Sequence, residues 1–256
     1  IVSRDWSSDV CSSDLTRLVR FLSSSAKTYE AGIRFGLVTD SYDITGHPVR
    51  ESDARPSERA VRTAIASCVG EHLQTPPAFS AKKVDGQRAY ALARQDKPVE
   101  LRPVPVRIDG AEVLSWSPDR AVVRLTVSAG FYVRAFAYDL GEALGSGACL
   151  DALRRTRSGA FDLSTAVTLD QLREGHGAEA LLGLDLLLPD WETAVVGPEG
   201  RQRLSHGQTL LPSHLLERQT GQSAPWARVV DEAGHLLGLA KEESGDGTLH
   251  PDIVLI

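Results

Sequence analysis

Residues Thr75–Arg94 read TPPAFSAKKVDGQRAYALAR, and the reading of the rest of the chain depends on this run. Thr75-Pro76-Pro77 interrupts any regular element, because proline lacks an N–H and restricts the residue before it. Ser80–Val84 can follow as a short strand, Asp85-Gly86 as a turn and Arg88–Arg94 as a short helix. Lys82, Lys83, Arg88 and Arg94 make the run basic within a chain of net charge −6. That overall sign argues against a nucleic-acid partner, but the distribution leaves room for a local basic footprint.

Upstream, Tyr29, Ala31, Ile33, Phe35 and Leu37 alternate with polar or small residues, the period of a half-buried strand with Tyr29 on its apolar face. Ser57 is a suitable N-cap for a helix carrying Ala60, Val61, Ala64, Ile65, Cys68 and Val69 on one side. Downstream, Val104–Trp116 and Ala121–Ser128 read as strands around a Ser117–Arg120 turn. Phe131–Leu144 reads as a helix ended by Gly145 and Gly147, and a second short helix is expected to carry Leu150, Leu153 and the arginines Arg154, Arg155 and Arg157. These arginines are a second basic group; the alternative is that Arg154 and Arg155 compensate a helix C-terminus. Elements of both kinds in irregular order give an α+β class. Past Leu188-Pro189-Asp190, short strands at Trp191–Val196, Trp226–Asp231, Leu236–Lys241 and Asp252–Ile256, with a helix over Pro198–His206, indicate a small β-rich domain at 191–256.

Composition narrows the function. The chain has 256 residues, 42% hydrophobic and 24% charged, enough for a large core plus a satellite domain. No apolar run approaches the roughly 20 residues that span a bilayer, and a cytoplasmic location follows by default. The seven histidines are dispersed and the three cysteines lack metal-site or disulfide spacing, so no metal is expected; Cys68 and Cys149 read as small buried hydrophobes. No phosphate-binding loop, dinucleotide fingerprint or nucleophile elbow is present, which disfavours a cofactor. In Gly130–Arg134 (GFYVR), an extended backbone would put Tyr132 and Arg134 on one face, an aromatic platform beside a guanidinium. A core tyrosine next to a surface arginine is the other reading of the same spacing.

The opening stretch Ile1–Leu15, IVSRDWSSDVCSSDL, uses Ser-Ser-Asp twice and keeps no period, in a chain that contains no methionine. It reads as non-native, similar to a translated sequencing-adapter fragment, with a disordered native N-terminus as the alternative. Leu15, Leu18, Val19 and Leu22 then have helical spacing, so native sequence is expected to resume in a helix.

Three segments, Leu15–Gly46, Thr75–Arg94 and Ser128–Phe161, resemble the bacterial tRNA pseudouridine-55 synthase family in order and spacing. The resemblance implies a pseudouridine synthase catalytic fold over 16–188, a mixed and largely antiparallel sheet with flanking helices, followed by a PUA-like RNA-binding domain over 191–256. It implies a cofactor-free isomerisation of uridine 55 in the T-loop of tRNA, by a monomer that flips the base out of the loop. Carried over by motif, Tyr29 stacks on the flipped base and is a candidate for late proton transfer, and Tyr132 packs in the same pocket. Arg134 pairs with the catalytic aspartate, and Leu153 walls off water. Lys82, Lys83, Arg88, Arg154 and Arg155 are the implied RNA-binding residues. The family's GTLDPLATG motif, which holds the nucleophilic aspartate, would fall on Ile1 and is absent; Asp5, Asp9 and Asp14 have no Leu-Asp-Pro context. A polypeptide of this sequence is therefore expected to be inactive, and a non-catalytic tRNA-binding or tRNA-folding protein is the alternative. The related guide-RNA-dependent synthases are a third possibility, disfavoured by the form of TPPAFSAKK and the short C-terminal domain.

Overall fold

The computed structural model describes residues 14–23, 25–80, 82–84, 87–90, 101–177, 179–221 and 225–256. By its contacts the chain forms two compact units. One is Ser24–Leu163; the other joins Ser164–Ile256 to the N-terminal residues, described from Asp14. The boundary expected at 188–191 thus lies inside the second unit.

The first unit is built on β1 (Lys27–Phe35), β4 (Gly70–Gln74), β7 (Val104–Ser117), β8 (Arg120–Val127), β9 (Ala148–Ser158) and β10 (Phe161–Asp162), in the spatial order β10-β9-β1-β8-β7-β4. All its pairings are antiparallel. The alternation read from β1 holds: Ala31, Ile33 and Phe35 are buried, and Tyr29 packs at the edge of the same core. Helices α2 (Glu58–Ser67) and α3 (Val133–Ala143) cover that face and contribute Val61, Ile65, Val133, Phe136, Ala137 and Leu140. Ser57 caps α2 as expected, its hydroxyl accepting the Ala60 N–H at 3.2 Å. Gly141 lets α3 approach β9, since a Cβ there would lie 2.2 Å from the Ala148 nitrogen. Two small hairpins, β2 (Leu37–Thr39) with β3 (Pro48–Glu51) and β5 (Lys83–Val84) with β6 (Gln87–Arg88), complete the unit.

Two expectations are corrected here. Leu150 and Leu153 lie on strand β9, not on a helix, and so do Arg154, Arg155 and Arg157. Leu150 pairs with Ile33 and Leu153 with Ala31, although the leucines are three apart and their partners two apart. The register shift at Gly32/Ile33 adds the extra residue, so both leucines return to one face at a spacing that imitates a helix. The GFYVR segment is also not an extended strand: Tyr132 is the extended N-cap of α3, and Arg134 already belongs to its first turn. Of the helix expected over 88–94, Ala89 and Tyr90 are helical; residues 91–94, like Asp85-Gly86, lie outside the described residues.

The second unit contains a sheet of β11 (Glu192–Val196), β12 (Leu215–Gln219), β13 (Trp226–Val230), β14 (Leu236–Glu242) and β15 (Leu249–Val254), ordered β12-β11-β13-β14-β15. Only β11 and β13 run parallel. The first five residues of β14, Leu236–Ala240, are all buried. This continuous burial is explained by cover on both faces. Leu237 and Ala240 pack with Leu204 of α5 (Pro198–Ser205), whereas Leu236 and Leu239 pack with Leu18 of α1 (Asp14–Ser23). Phe21 of α1 meets Trp191 and Trp226 edge-on at 5.1 and 4.9 Å. The helix expected to follow the opening stretch therefore exists, within the core of the C-terminal unit. A short helix α4 (Leu169–Arg173) precedes the sheet, opened by a capping box between Thr168 and Gln171.

Candidate functional site

Tyr29 lies mid-sheet in the first unit, opposite Leu125 on β8 and Arg155 on β9. Cross-strand partners share a face, so Tyr29 and Arg155 project to the side that carries Ala31 and its partner Leu153. The cover on this side is uneven. Ala148 and Leu150 are sealed beneath α3, at 0 and 2% exposure, whereas Leu153 is 49% exposed. A tyrosine, a leucine and an arginine thus share an open stretch of the otherwise core-facing side.

Lys27 belongs to the same group, and the sequence reading missed it. It sits two residues before Tyr29 on the same face, with its Nζ donating to the Ser25 carbonyl at 2.8 Å. Partial burial, and then the Arg155 charge, push its ammonium below the ordinary lysine range. The KTY spacing was the available signal: two residues apart on a strand is one face.

The reverse side of the same strands is polar and closed by ion pairs. Arg124 bridges Glu30 and Glu112 at 3.2 and 3.1 Å. Arg120 holds Asp151 through bonds of 2.6 and 3.1 Å, across the space above Gly32, where a Cβ would come within 1.9 Å of Asp151 Oδ1. Arg154 pairs in register with Glu30 and so belongs to this side, apart from Arg155.

Tyr132 and Arg134 enter from the start of α3, whose Val133 and Phe136 share the core against which Tyr29 packs. Arg134 Nη2 donates to the Phe79 carbonyl at 3.0 Å, which ties α3 to the TPPAFS segment. The Tyr132 backbone is bonded to the Gln74 side chain at 2.8 and 3.0 Å. Lys82 is half-buried just beyond that segment. Lys83 and Arg88 are register partners in the β5–β6 hairpin, and their side chains lie outside the described residues. So do Asp5 and Asp9, while Asp14 opens α1 in the other unit.

Cys149 is fully buried and its thiol is pushed up to about 11, chiefly by burial, which suits packing rather than attack. Among the described residues no group of three or more His, Cys, Asp or Glu side chains could hold a metal ion. A polar cavity of about 560 Å³, lined in part by Arg34, Gly36, Ser52, Arg55 and Asp119, lies at the far end of β1 from Tyr29. Its lining includes none of the candidate site residues.

Residues 9–133 match the TruB family pseudouridylate synthase N-terminal domain, and residues 134–196 match the tRNA pseudouridylate synthase B C-terminal domain. The chain belongs to the TruB family of pseudouridine synthases. The first match begins inside the stretch set aside at the N-terminus, and the two meet between Tyr132 and Arg134. The tRNA pseudouridine synthase B of Solibacter usitatus is 36% identical over 245 residues, covering 94% of this chain and 82% of its own length. That of Burkholderia mallei is 36% identical over 250 residues, covering 96% and 82%. Among solved structures, a Cbf5-Nop10-Gar1 complex aligns with a TM-score of 0.71 at 20% identity, over 95% of this chain and 70% of that one. An H/ACA RNP bound to a substrate RNA containing 2′-deoxyuridine aligns at 0.69 and 18%, with the same coverage. At these identities the structural likeness concerns the fold, and it agrees with the α+β class read from the sequence and with the pseudouridine synthase fold that the resemblance implied. No helix among the described residues is long and apolar enough to cross a membrane.

Proposed function

We propose that this TruB-family chain is built to isomerise uridine 55 in the T-loop of tRNA to pseudouridine, acting as a cytoplasmic monomer. The observation that carries the reading is the uncovered stretch of sheet where Tyr29, Leu153 and Arg155 project together, beside the start of α3. A uridine in a folded T-loop is stacked, so it must be extruded at a cost of about a few kcal/mol. Stacking on Tyr29 offsets part of that cost, on the order of 1–3 kcal/mol. Leu153 supplies an apolar wall beside the detached base. Arg155 and Lys27 are candidates for phosphate contacts, supplemented by Lys82 and by Lys83 and Arg88 of the β5–β6 hairpin.

The reaction is an isomerisation: the N1–C1′ bond breaks, the uracil turns, a C5–C1′ bond forms, and the proton lost from C5 is balanced by one gained at N1. It requires no external oxidant, reductant or cofactor. In this scheme Arg134 holds the nucleophilic aspartate ionised, and Tyr29 or Tyr132 handles the proton. The 256 residues contain no Leu-Asp-Pro. A polypeptide of this sequence is accordingly inactive, by on the order of 10⁴–10⁶ in rate. The same missing tripeptide favours a second reading, a tRNA-binding or tRNA-folding protein without catalysis.

One experiment separates the two. Unmodified tRNA transcripts are incubated with this chain, and with a version in which a segment carrying GTLDPLATG replaces residues 1–15. T-loop pseudouridine is then measured by mass spectrometry. Product from the second protein alone is expected; tight tRNA binding by both with product from neither supports the binding protein.

A further inference from the structure

Gln74 ends the edge strand β4 and is 5% exposed, among the few buried polar side chains of its unit. Its carboxamide spends both ends on one residue's backbone. Oε1 accepts the Tyr132 N–H at 2.8 Å, and Nε2 donates to the Tyr132 carbonyl at 3.0 Å. That carbonyl also accepts the Phe136 N–H at 3.1 Å, at the opening of α3. Tyr132 is extended (φ −106°, ψ 103°), and its own side chain supplies no cap bond. Gln74 therefore does for this residue what a neighbouring strand does in a ladder, with a side-chain amide imitating a peptide group. The oxygen and nitrogen are assigned by the bonds themselves, since the reversed amide would oppose two donors and two acceptors.

The restraint runs in both directions. Two residues after Tyr132, Arg134 reaches back to the Phe79 carbonyl at 3.0 Å. Between Gln74 and Phe79 stand Pro76 and Pro77, which limit the conformations of the span. Three hydrogen bonds thus tie 74–79 to 132–134, and two prolines restrict the span between their anchors.

We propose that Gln74 is a positioning residue of the synthase site: it fixes the backbone from which Tyr132 and Arg134 enter, and so governs the chemical step rather than RNA affinity. The inference rests on the reading of Tyr132 and Arg134 as site residues. Gln74 itself touches no substrate atom in this scheme.

Two variants test it. Gln74→Leu fills similar volume and removes both bonds. Gln74→Glu keeps the acceptor but can donate to the Tyr132 carbonyl only while protonated. In the 256-residue chain, amide hydrogen exchange is followed in segments 75–80 and 129–136 and corrected for intrinsic rates. Gln74→Leu should accelerate exchange in both, and Gln74→Glu should do so only as rising pH ionises its carboxyl. Unchanged exchange in Gln74→Leu overturns the proposal.

In the protein with the restored GTLDPLATG segment, Gln74→Leu should lower the single-turnover rate by on the order of 10²-fold, with the tRNA dissociation constant held within about twofold. Gln74→Glu should lose rate with rising pH where its parent does not. Equal losses of rate and affinity, or a Gln74→Glu profile parallel to the parent's, would mark Gln74 as merely structural and overturn the proposal. If the restored parent makes no pseudouridine, the functional reading fails on its own, and the exchange experiment still decides whether Gln74 positions Tyr132.

Discussion

Tyr29 and Arg155 stand directly opposite each other across β1 and β9, whereas Arg154, one residue earlier, pairs with Glu30 on the reverse side. Adjacent arginines that look equivalent in sequence are thereby assigned to different surfaces.

Arg155→Ala should weaken binding of a T-arm stem-loop and reduce the salt dependence of log K by about one phosphate's worth. Arg154→Ala should leave both nearly unchanged. Fluorescence anisotropy titrations over a range of KCl concentrations measure this, and equal effects of the two substitutions would remove Arg155 from the proposed RNA path.

Two glycines of the first unit should respond differently to alanine. At Gly141 the added carbon meets the Ala148 backbone, which cannot step aside, and a loss of roughly 1–3 kcal/mol is expected. At Gly32 it meets the ends of the Asp151 and Arg120 side chains, which can swing away, so the loss should be limited to about the worth of a partly exposed ion pair, roughly 0–1 kcal/mol. Urea unfolding of both variants gives the comparison.

Leu18 is 2% exposed although it lies near the start of the chain. Leu18→Ala should cost about 2–5 kcal/mol through the cavity it leaves. The damage should appear as faster hydrogen exchange in β14 and β15, with β1 and β9 unaffected. Uniform acceleration across both units would contradict the placement of α1.

Arg218 and then the Gly247 N–H hold the Glu242 carboxyl below its ordinary range. A carboxyl depressed in the folded state contributes stability above its unfolded value, and that contribution fades as pH falls through the lower folded value. Thermal melts from about pH 7 downward should therefore show a loss starting near pH 4.5. Arg218→Ala should flatten that part of the profile.

What could be read in advance follows from how local each signal is. The β1 alternation and the Ser57 cap depend on near neighbours in the chain, and both are found. Strand β9 was misread because a bulge gave Leu150 and Leu153 a helical spacing, a feature that only the register with β1 reveals. Strand β4 was missed because GEHLQ, an edge strand with Leu73 75% exposed, carries little apolar pattern. Gln74 went with it, since a polar residue reads as surface until its distant partner at Tyr132 is known. Tyr29, Tyr132, Arg134 and Leu153 came from motif resemblance, and the added knowledge concerns side: Arg155 and Lys27 face with Tyr29, and Arg154 does not.

The packing of α1 against a sheet made from the last third of the chain also bears on the order of assembly. During synthesis the stretch from Ser24 to Leu163 can complete its own core while α1 still has nothing to rest on. The ten residues of that helix must wait until β15 has left the ribosome. For that interval the Leu18 and Phe21 side chains are exposed apolar surface on a half-made molecule, so this helix finds its place only after the unit that follows it in sequence has closed.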